Sequence, residues 1–561
     1  MANSTDTKST TTKRSDGEVF VWASAAALAF TLLITFTLIG VVVINGLGAL
    51  WPADLTLVTM NNGERFLGEV TAREPNHEAE GERIQLKTGN RDVYGIDFRW
   101  IDLREVASMT QPENAMRVER MEHGNLYGML QEVRDEIGGV VDGSDLETQF
   151  QVLRETAASG LHGLEDERTE IMSLSQALQA ADNRLHKLRY HGADDGDAEI
   201  ITWTRKRDKL SQDLSRVVDS QTEQLDELSK STAVFVDAAG TTMEVEGIDI
   251  VQACRPNAMS AIAKSGYFLG KLRELLWEDP RESNTEGGLF PAIFGTVMLI
   301  FIMSIFSFPL GVLAAIYLRE YASEGILVRI VYIAVNNLAG IPSIVYGIFG
   351  LGFFVYGIGG SIDQLFFPER LPTPTFGTGG LLWASMTLAI LTVPVVIVAT
   401  DEALGAVPRG VREGSYALGA TRLQTLVRVV LPMASPGIMT GFILAMARAA
   451  GEVAPLMITG VVKLAPALAI DGQFPFFHVD RKFMHLGFHI YDVGFQSPNV
   501  EAAKPMVYVT TLLLVLIVLA MSSVAIYLAA TKKAATAFSS TKIGTAFSIQ
   551  FLKPSSNVMQ I

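Results

Sequence analysis

The sequence predicts an all-α polytopic membrane protein with six spans and one large extracytoplasmic insert, itself a small β unit plus an α-helical coiled-coil hairpin. Three observations lead there. Long uncharged apolar runs recur in a chain of 561 residues that is 49% hydrophobic, with a mean hydropathy of +0.28. Acidic residues gather between positions 60 and 290, away from those runs. Within that polar stretch the apolar period switches from alternation to heptads.

Residues 1–18 are rich in Ser, Thr and Lys and too polar to pack, which predicts a disordered cytoplasmic tail. The apolar run from Val19 to Ile44 is longer than a signal-peptide core and has no small-x-small site close behind it, so residues 19–50 read as an uncleaved first span. Lys8, Lys13 and Arg14 set its N-terminal end inside, and one crossing puts residues 51–286 outside.

That insert has two textures. From Leu55 to Val106 strand-like alternation, with an Asn62-Gly63 turn signal, predicts a small antiparallel β unit. Over about 144–230, Leu146, Phe150, Leu153, Ala157, Leu164, Ile171, Leu174, Leu178, Ala181, Leu185 and Leu188 share one a/d register, with Gly160 and Glu167 as its weak points. After HGADDGD (191–197) a second register through Trp203, Leu210, Leu214, Val217 and Leu228 runs back. A hairpin with arms of roughly 60 Å follows from a rise of about 1.5 Å per residue, and the pattern sets Leu185 and Leu210 at similar depth from the turn.

The membrane domain, 287–533, has candidate spans at 289–318, 329–356, 380–400, 437–460 and 506–530. Arg319, Arg329, Lys532 and Lys533 fall on the cytoplasmic side, with both termini, including a tail at 534–561. In the outer loop Lys463, Arg481, Lys482 and Lys504 are balanced by Asp471, Asp480, Asp492 and Glu501. Two span segments stand out. NNLAGIPSIVYGIFGLGFF (336–354) carries Gly340, Pro342 and Gly347, which predict a helix break and close packing. ARAAGEVAPL (447–456) puts Arg448 and Glu452 four residues apart, one turn of an apolar helix. Ionisable groups there are costly and face a bundle interior or a water-filled path, which makes both candidates for a substrate path.

Between spans lies one basic island, residues 401–436, with Arg409, Arg412, Arg422 and Arg428. Its pattern predicts two short helices bent at Gly419, the second N-capped by Thr421 and stopped by Pro432. Glu413, Gly414 and Ser415, then Gly419, Val429, Leu431 and Pro432, resemble the EAA loop of ABC-importer permeases (EAA, three residues, G, nine residues, I, any residue, LP). Gly414 and Ser415 replace the two alanines and Val429 the isoleucine. In that family the loop docks in a groove of a separate ATPase.

Together with NLAGIPSIVYGIFGL and ARAAGEVAPL, this loop resembles the A-type permease of the phosphate-specific importer, over roughly residues 285–535 plus the first span. The large insert is a departure from that family. The resemblance implies a six-helix type I ABC importer permease core in a bacterial cytoplasmic membrane. It also implies a C-type permease partner, two copies of an ATPase carrying ATP and Mg, and an extracytoplasmic phosphate-binding protein.

Other classes recede. A net charge of −15 speaks against nucleic acid. One cysteine, Cys254, allows no internal disulfide, and His123, His162, His186 and His191 are not at metal-ligand spacing. With no GxxxxGK[ST] loop the chain is not expected to hydrolyse ATP: it reads as a permease, not an enzyme, with no cofactor of its own. A permease for another oxyanion (phosphonate, sulfate or molybdate) shares the loop. A membrane sensor shares the topology but would need a larger cytoplasmic domain.

Overall fold

The first span, α1 (Glu18–Ala49), is one unbroken helix of 32 residues, about 48 Å at 1.5 Å per residue and so longer than a roughly 30 Å hydrocarbon layer. Its few polar groups are satisfied within the helix: Thr31, Thr35 and Thr37 hydroxyls donate to carbonyls four residues back at 2.8–2.9 Å. The computed structural model describes residues 18–76, 81–134, 140–141, 145–472 and 476–551. The expected N-terminal tail lies outside the described residues, except for Glu18, which opens α1.

The insert begins with the β unit. β1 (Leu55–Met60), β2 (Arg65–Pro75), β3 (Glu82–Lys87), a single turn α2 (Arg91–Tyr94), β4 (Phe98–Asp102) and β5 (Val106–Thr110) give an antiparallel sheet of order β4-β3-β2-β1-β5. Gly63 takes φ +89° in the β1–β2 turn, the left-handed conformation that Asn-Gly signals. Val58, Ile84, Leu86 and Ile101 form the core.

A second sheet follows that the sequence pattern did not reveal. β6 (Met116–Arg120), β7 (Asn125–Arg134), β8 (Val140–Val141), β9 (Thr232–Val236), β10 (Thr242–Glu246) and β11 (Ile250–Cys254) assemble in the order β10-β9-β7-β6-β11, with β8 on β7. The hairpin is inserted between β8 and β9: α3 (Leu146–Tyr190) runs out and α4 (Ala198–Ser229) returns. Phe150 at its base meets Phe235 of β9 edge-on, centroids 5.9 Å apart, so the sheet is the footing of the arm.

Within the arm Phe150, Leu153, Ala157, Leu164, Ala181 and Leu185 are buried. The two apparent weak points are contact points. A Cβ at Gly160 would sit 2.7 Å from Leu228 Cδ1, and the Glu167 carboxylate accepts from Gln224 Nε2 at 2.9 Å and from Ser220 Oγ at 3.4 Å. Arg184 meets Glu199 at 2.5 Å. These pairs correct the expected depth match: Leu185 faces the start of α4, and Leu210 faces the region of Leu178. A Glu167→Cys, Ser220→Cys variant should therefore close a disulfide on mild oxidation, whereas cysteines at Leu185 and Leu210 should not. Non-reducing electrophoresis reads the difference, and the reverse result would displace the register.

α5 (Ala261–Trp277), N-capped by Ser260 through Ala263 N at 3.3 Å, leads back to the membrane. A two-strand turn, β12 (Pro280–Arg281) and β13 (Glu286–Gly287), precedes α6 (Phe290–Ile316), which widens into a π turn at Tyr317–Tyr321. Then come α7 (Ile326–Leu338), α8 (Ser343–Phe349), a π-helical stretch at Gly350–Gly359, α9 (Gly360–Phe366) and α10 (Leu381–Gly405). The island forms α11 (Arg409–Ala417) and α12 (Arg422–Thr425), and α13 (Leu431–Gly451), α14 (Ala454–Thr459), α15 (Leu486–Tyr491) and α16 (Val500–Phe551) complete the chain. Six helices among the described residues are long and apolar enough to cross a membrane: Val19–Ala49, Phe290–Tyr321, Ser343–Phe366, Leu381–Gly405, Arg422–Gly451 and Val500–Tyr527.

Three boundaries differ from expectation. The helix break expected at Gly340 and Pro342 divides the span placed at 329–356, so α7 stands apart and the crossing helix begins only at Ser343. Proline has no N–H to donate and its ring excludes the preceding residue from the helix, which is why the break falls there. The span placed at 437–460 ends at Gly451 and gives way to a separate α14. No break marks 533, since the α16 backbone stays helical to Phe551.

Small residues let the spans approach. Gly437 and Gly441 of α13 face Ala403 and Ala399 of α10, where an added Cβ would sit 2.6 and 2.3 Å from the alanine methyls. Gly311 of α6 meets Val396 of α10 in the same way. The insert is stitched to this core: Gln85 Nε2 donates to Glu501 at 3.5 Å, Asn284 Nδ2 to the Lys463 carbonyl at 2.9 Å, and His489 Nε2 to the Asn284 carbonyl at 3.1 Å.

Candidate coupling loop and substrate path

The loop is a bent helix pair whose bend is locally encoded. Gly419 sits at φ +83°. Its N–H donates to the Tyr416 carbonyl at 2.9 Å and that of Ala420 to the Ser415 carbonyl at 3.2 Å, the paired bonds of a Schellman C-cap. Thr421 then caps α12: its Oγ1 accepts from Gln424 N at 3.2 Å while the Gln424 side chain accepts from Thr421 N at 2.9 Å. The Thr-x-x-Gln spacing was available in the sequence as the sign of this reciprocal cap.

Pro432 does not stop the second helix, contrary to expectation. Leu426–Val430 forms a π turn, and α13 continues through Pro432 at its first turn. A π turn leaves the local hydrogen-bond ladder out of step, so the carbonyls and the missing proline N–H need not clash. The arm therefore passes stiffly from the bend into the membrane. Val429 and Leu431 are half-buried and Pro432 is exposed on it.

Charged contacts anchor the loop to two other spans. Arg412 pairs with Glu320 and donates to the Leu404 carbonyl at 2.6 Å. Arg319 meets Asp401 at 3.2 Å, and Tyr332 Oη donates to the same carboxylate at 3.0 Å. Ser415 Oγ and Thr425 Oγ1 are 2.8 Å apart across the bend. The Arg412–Glu320, Arg319–Asp401 and Tyr332–Asp401 contacts were not legible from the sequence, since they join segments 69–92 residues apart. Glu413 and Gly414 are exposed, and Leu418 is 91% exposed at the tip. An apolar tip left in solvent beside a rigid bend can enter a groove on another protein.

At the far end of α13 the Arg448–Glu452 arrangement differs from one helical turn. Helix α13 ends at Gly451, and Glu452 is extended at φ −79°, ψ 127°. Glycine and the proline at 455 weaken the helix here. The ion pair survives, Arg448 Nε to Glu452 Oε1 at 3.5 Å, with side chains 34% and 18% exposed. The two interruptions meet: Gly347 of α8 lies against Pro455 of α14, where an added Cβ would sit 2.7 Å from the proline Cα. Gly350 is equally tight against Thr387. Gly340 has only its own helix carbonyl, Asn337 O, at 3.5 Å, so it serves the break and not close packing. Interrupted helices at membrane depth occur where they are buried in protein or line a water-filled path.

Among the described residues no group of three His, Cys, Asp or Glu is placed to hold a metal ion. Residues 307–533 match the model of the family "Binding-protein-dependent transport system inner membrane component". The phosphate transport system permease protein PstA 1 of Mycobacterium tuberculosis is 35% identical over 198 residues, 35% of this chain and 58% of that protein, so the chain spans under two thirds of that relative. A probable ABC transporter permease protein, YqgH, of Bacillus subtilis is 32% identical over 246 residues, 41% of this chain and 75% of that one. The phosphate transport system permease protein PstA of Pasteurella multocida is 30% identical over 247 residues, 43% and 78% of the two chains. The chain thus belongs to the inner-membrane components of binding-protein-dependent transport systems, the permeases of type I ABC importers.

Proposed function

We propose that this chain is the transmembrane permease subunit of an ATP-driven importer for inorganic phosphate. The observation that carries the substrate class is Arg448, a guanidinium on the last turn of a span beside the unwound Glu452. Its planar fork donates parallel hydrogen bonds to two oxygens of one anion and does not lose its proton. Relatives named for phosphate transport point the same way.

On this reading the chain pairs with a C-type permease and engages two ATPase subunits, which hold ATP and Mg. It receives phosphate from an extracytoplasmic binding protein. The exposed face of α11, with Glu413, Gly414, Ser415 and the Gly419 bend, meets the ATPase, and Val429, Leu431 and Pro432 carry the motion into α13. Both termini lie in the cytoplasm of a bacterial inner-membrane protein, with the insert outside.

Uptake of radiolabelled phosphate by membranes carrying the complex tests the substrate. Competition by unlabelled phosphate with none by sulfate, molybdate or phosphonate is expected, and the opposite pattern would assign another oxyanion. Gly419→Val tests the coupling. The position is open, with nothing within 4 Å of an added Cβ, so the penalty is one of backbone, about 1–3 kcal/mol for a β-branched residue at positive φ. ATP-driven uptake should fall several-fold with the permease still inserted. Wild-type uptake with normal ATPase co-purification would remove the loop from the coupling role.

A further inference from the structure

Between the insert and the outer ends of the first and last spans lies a cavity of about 670 Å3, within the roughly 300–1,000 Å3 usual for small-molecule sites. Its two halves differ in chemistry. The floor is apolar, with Ile44 and Leu50 at the end of α1 and Met506 and Val509 on α16. The roof is charged and belongs to the sheets, α5 and the β12–β13 turn. Helix α1 ends at Ala49 and α16 begins at Val500, so the floor lies where two spans leave the apolar layer and the head-group region begins. The most apolar window of α1 buries no residue against the protein, and the helix meets α16 at Gly46, where an added Cβ would lie 3.2 Å from Leu512. Acyl chains in the outer leaflet thus have a free flank of α1 leading up to the floor.

Most roof charges are neutralised in place. Arg117 holds Glu69 at 3.2 Å and Glu119 at 2.9 Å, and Lys271 holds Glu119 and, at 2.6 Å, Glu274. Lys504 holds Glu501 at 2.6 Å. Two lining charges have no ion-pair partner within 4.0 Å among the described residues, Lys87 on β3 and Glu286 on β13, and both are half-buried. They have opposite signs. Desolvation pushes the Glu286 carboxyl above its ordinary range, ahead of the lowering by Lys87, Arg117 and Arg281, none of which reaches it within ion-pair distance. Glu69, Glu119 and Glu274 are matched by Arg117, Lys271 and Arg281, which leaves one charge of each sign, so a bare anion would answer Lys87 and leave Glu286 alone.

We propose that this cavity binds one zwitterionic phospholipid with a primary-amine head group, its phosphate facing Lys87, its ammonium facing Glu286 and its acyl chains running down α1 and α16. A charged partner for each removes the cost of leaving a lone charge in a partly desolvated wall. The lipid would join the insert to the membrane core across the cavity between them.

The full-length chain, purified with its assembly from nanodiscs of equal phosphatidylethanolamine and phosphatidylglycerol, is examined by native mass spectrometry. One phosphatidylethanolamine per chain should survive extraction. Lys87→Gln should cut retention of either lipid about tenfold, and Glu286→Gln should abolish the preference for the amine lipid, each being the loss of a charge-assisted hydrogen bond. Lys87→Arg should retain the lipid. Replacing phosphatidylethanolamine with phosphatidylcholine, whose quaternary head group donates no hydrogen bond, should lower retention about tenfold in the unmodified protein, which needs no variant to fold. No retained lipid, equal retention of the amine, choline and glycerol head groups, or wild-type selectivity in both variants would overturn the assignment.

Discussion

Arg448→Gln should reduce phosphate uptake by about 100-fold or more while the complex still assembles, because two charge-assisted hydrogen bonds to the anion are lost together. Phosphate carries between one and two negative charges near neutral pH, and moving it through a low-dielectric layer without a cation is prohibitive. Arg448 is placed to supply one on the last turn of α13, 3.5 Å from Glu452 and one-third exposed. A lone guanidinium would bind the anion and keep it. Glu452 follows the helix end, on an extended residue, so its carboxylate can exchange places with the anion. Arg448→Lys should restore little, since an ammonium lacks the planar fork. Glu452→Gln should slow transport by prolonging anion retention. Radiolabelled uptake measured beside complex yield decides between roles. Normal uptake in Arg448→Gln takes Arg448 off the path, and loss of assembly in place of uptake makes the pair a structural clasp.

How much of this site the sequence disclosed depends on the range of the forces involved. The bend at Gly419 and the cap at Thr421 follow from conformational preferences of a few adjacent residues, and both appear where the motif puts them. The hairpin arms are equally legible, because heptads report a buried seam. Relative depth along the arms is not: it is set by Gly160 against Leu228 and Glu167 against Gln224, contacts between helices that no single-helix period encodes. The second sheet was hidden because the arm separates β8 from β9, and because strands such as MRVER and TMEVE are short and half charged. Apolarity alone ran two spans too far. Hydropathy does not register a break: the one at Gly-Ile-Pro was legible from its glycine and proline but not from the apolar run used to set the span, and Gly-Glu-Val-Ala-Pro interrupts its helix without lowering the apolar count enough to show. The long-range anchors of the loop, Glu320 for Arg412 and Arg319 for Asp401, come from the end of α6 and become neighbours only when α6 and α10 pack.

Those long-range ties carry the second large effect. The half-buried Arg117 of β6 lies between the buried carboxylates Glu69 of β2 and Glu119 of β6, and Glu119 also takes Lys271 and a 2.6 Å hydrogen bond from Tyr267 Oη, both on α5. One cluster thus joins the first sheet, the second sheet and the helix that leads to the membrane. Arg117→Met should destabilise the insert by about 3–5 kcal/mol, the range for removing one partner of a buried ion cluster and leaving the others uncompensated. Arg117→Lys should recover part, losing one of the two carboxylate contacts. Burial would raise the Glu119 carboxyl, but Arg117 and Lys271 hold it down at about 2. Because its folded value lies below the ordinary value of about 4.3, its stabilisation is complete above that pH and is lost as the pH falls toward 2. The thermal midpoint of the insert, followed by tryptic cleavage after heating, should drop as the pH is lowered through that window in the unmodified chain. In Arg117→Met it should start lower and fall less, since the carboxyl is no longer depressed as far. A midpoint that ignores both the substitution and the acid would show that the cluster does not hold the insert to α5.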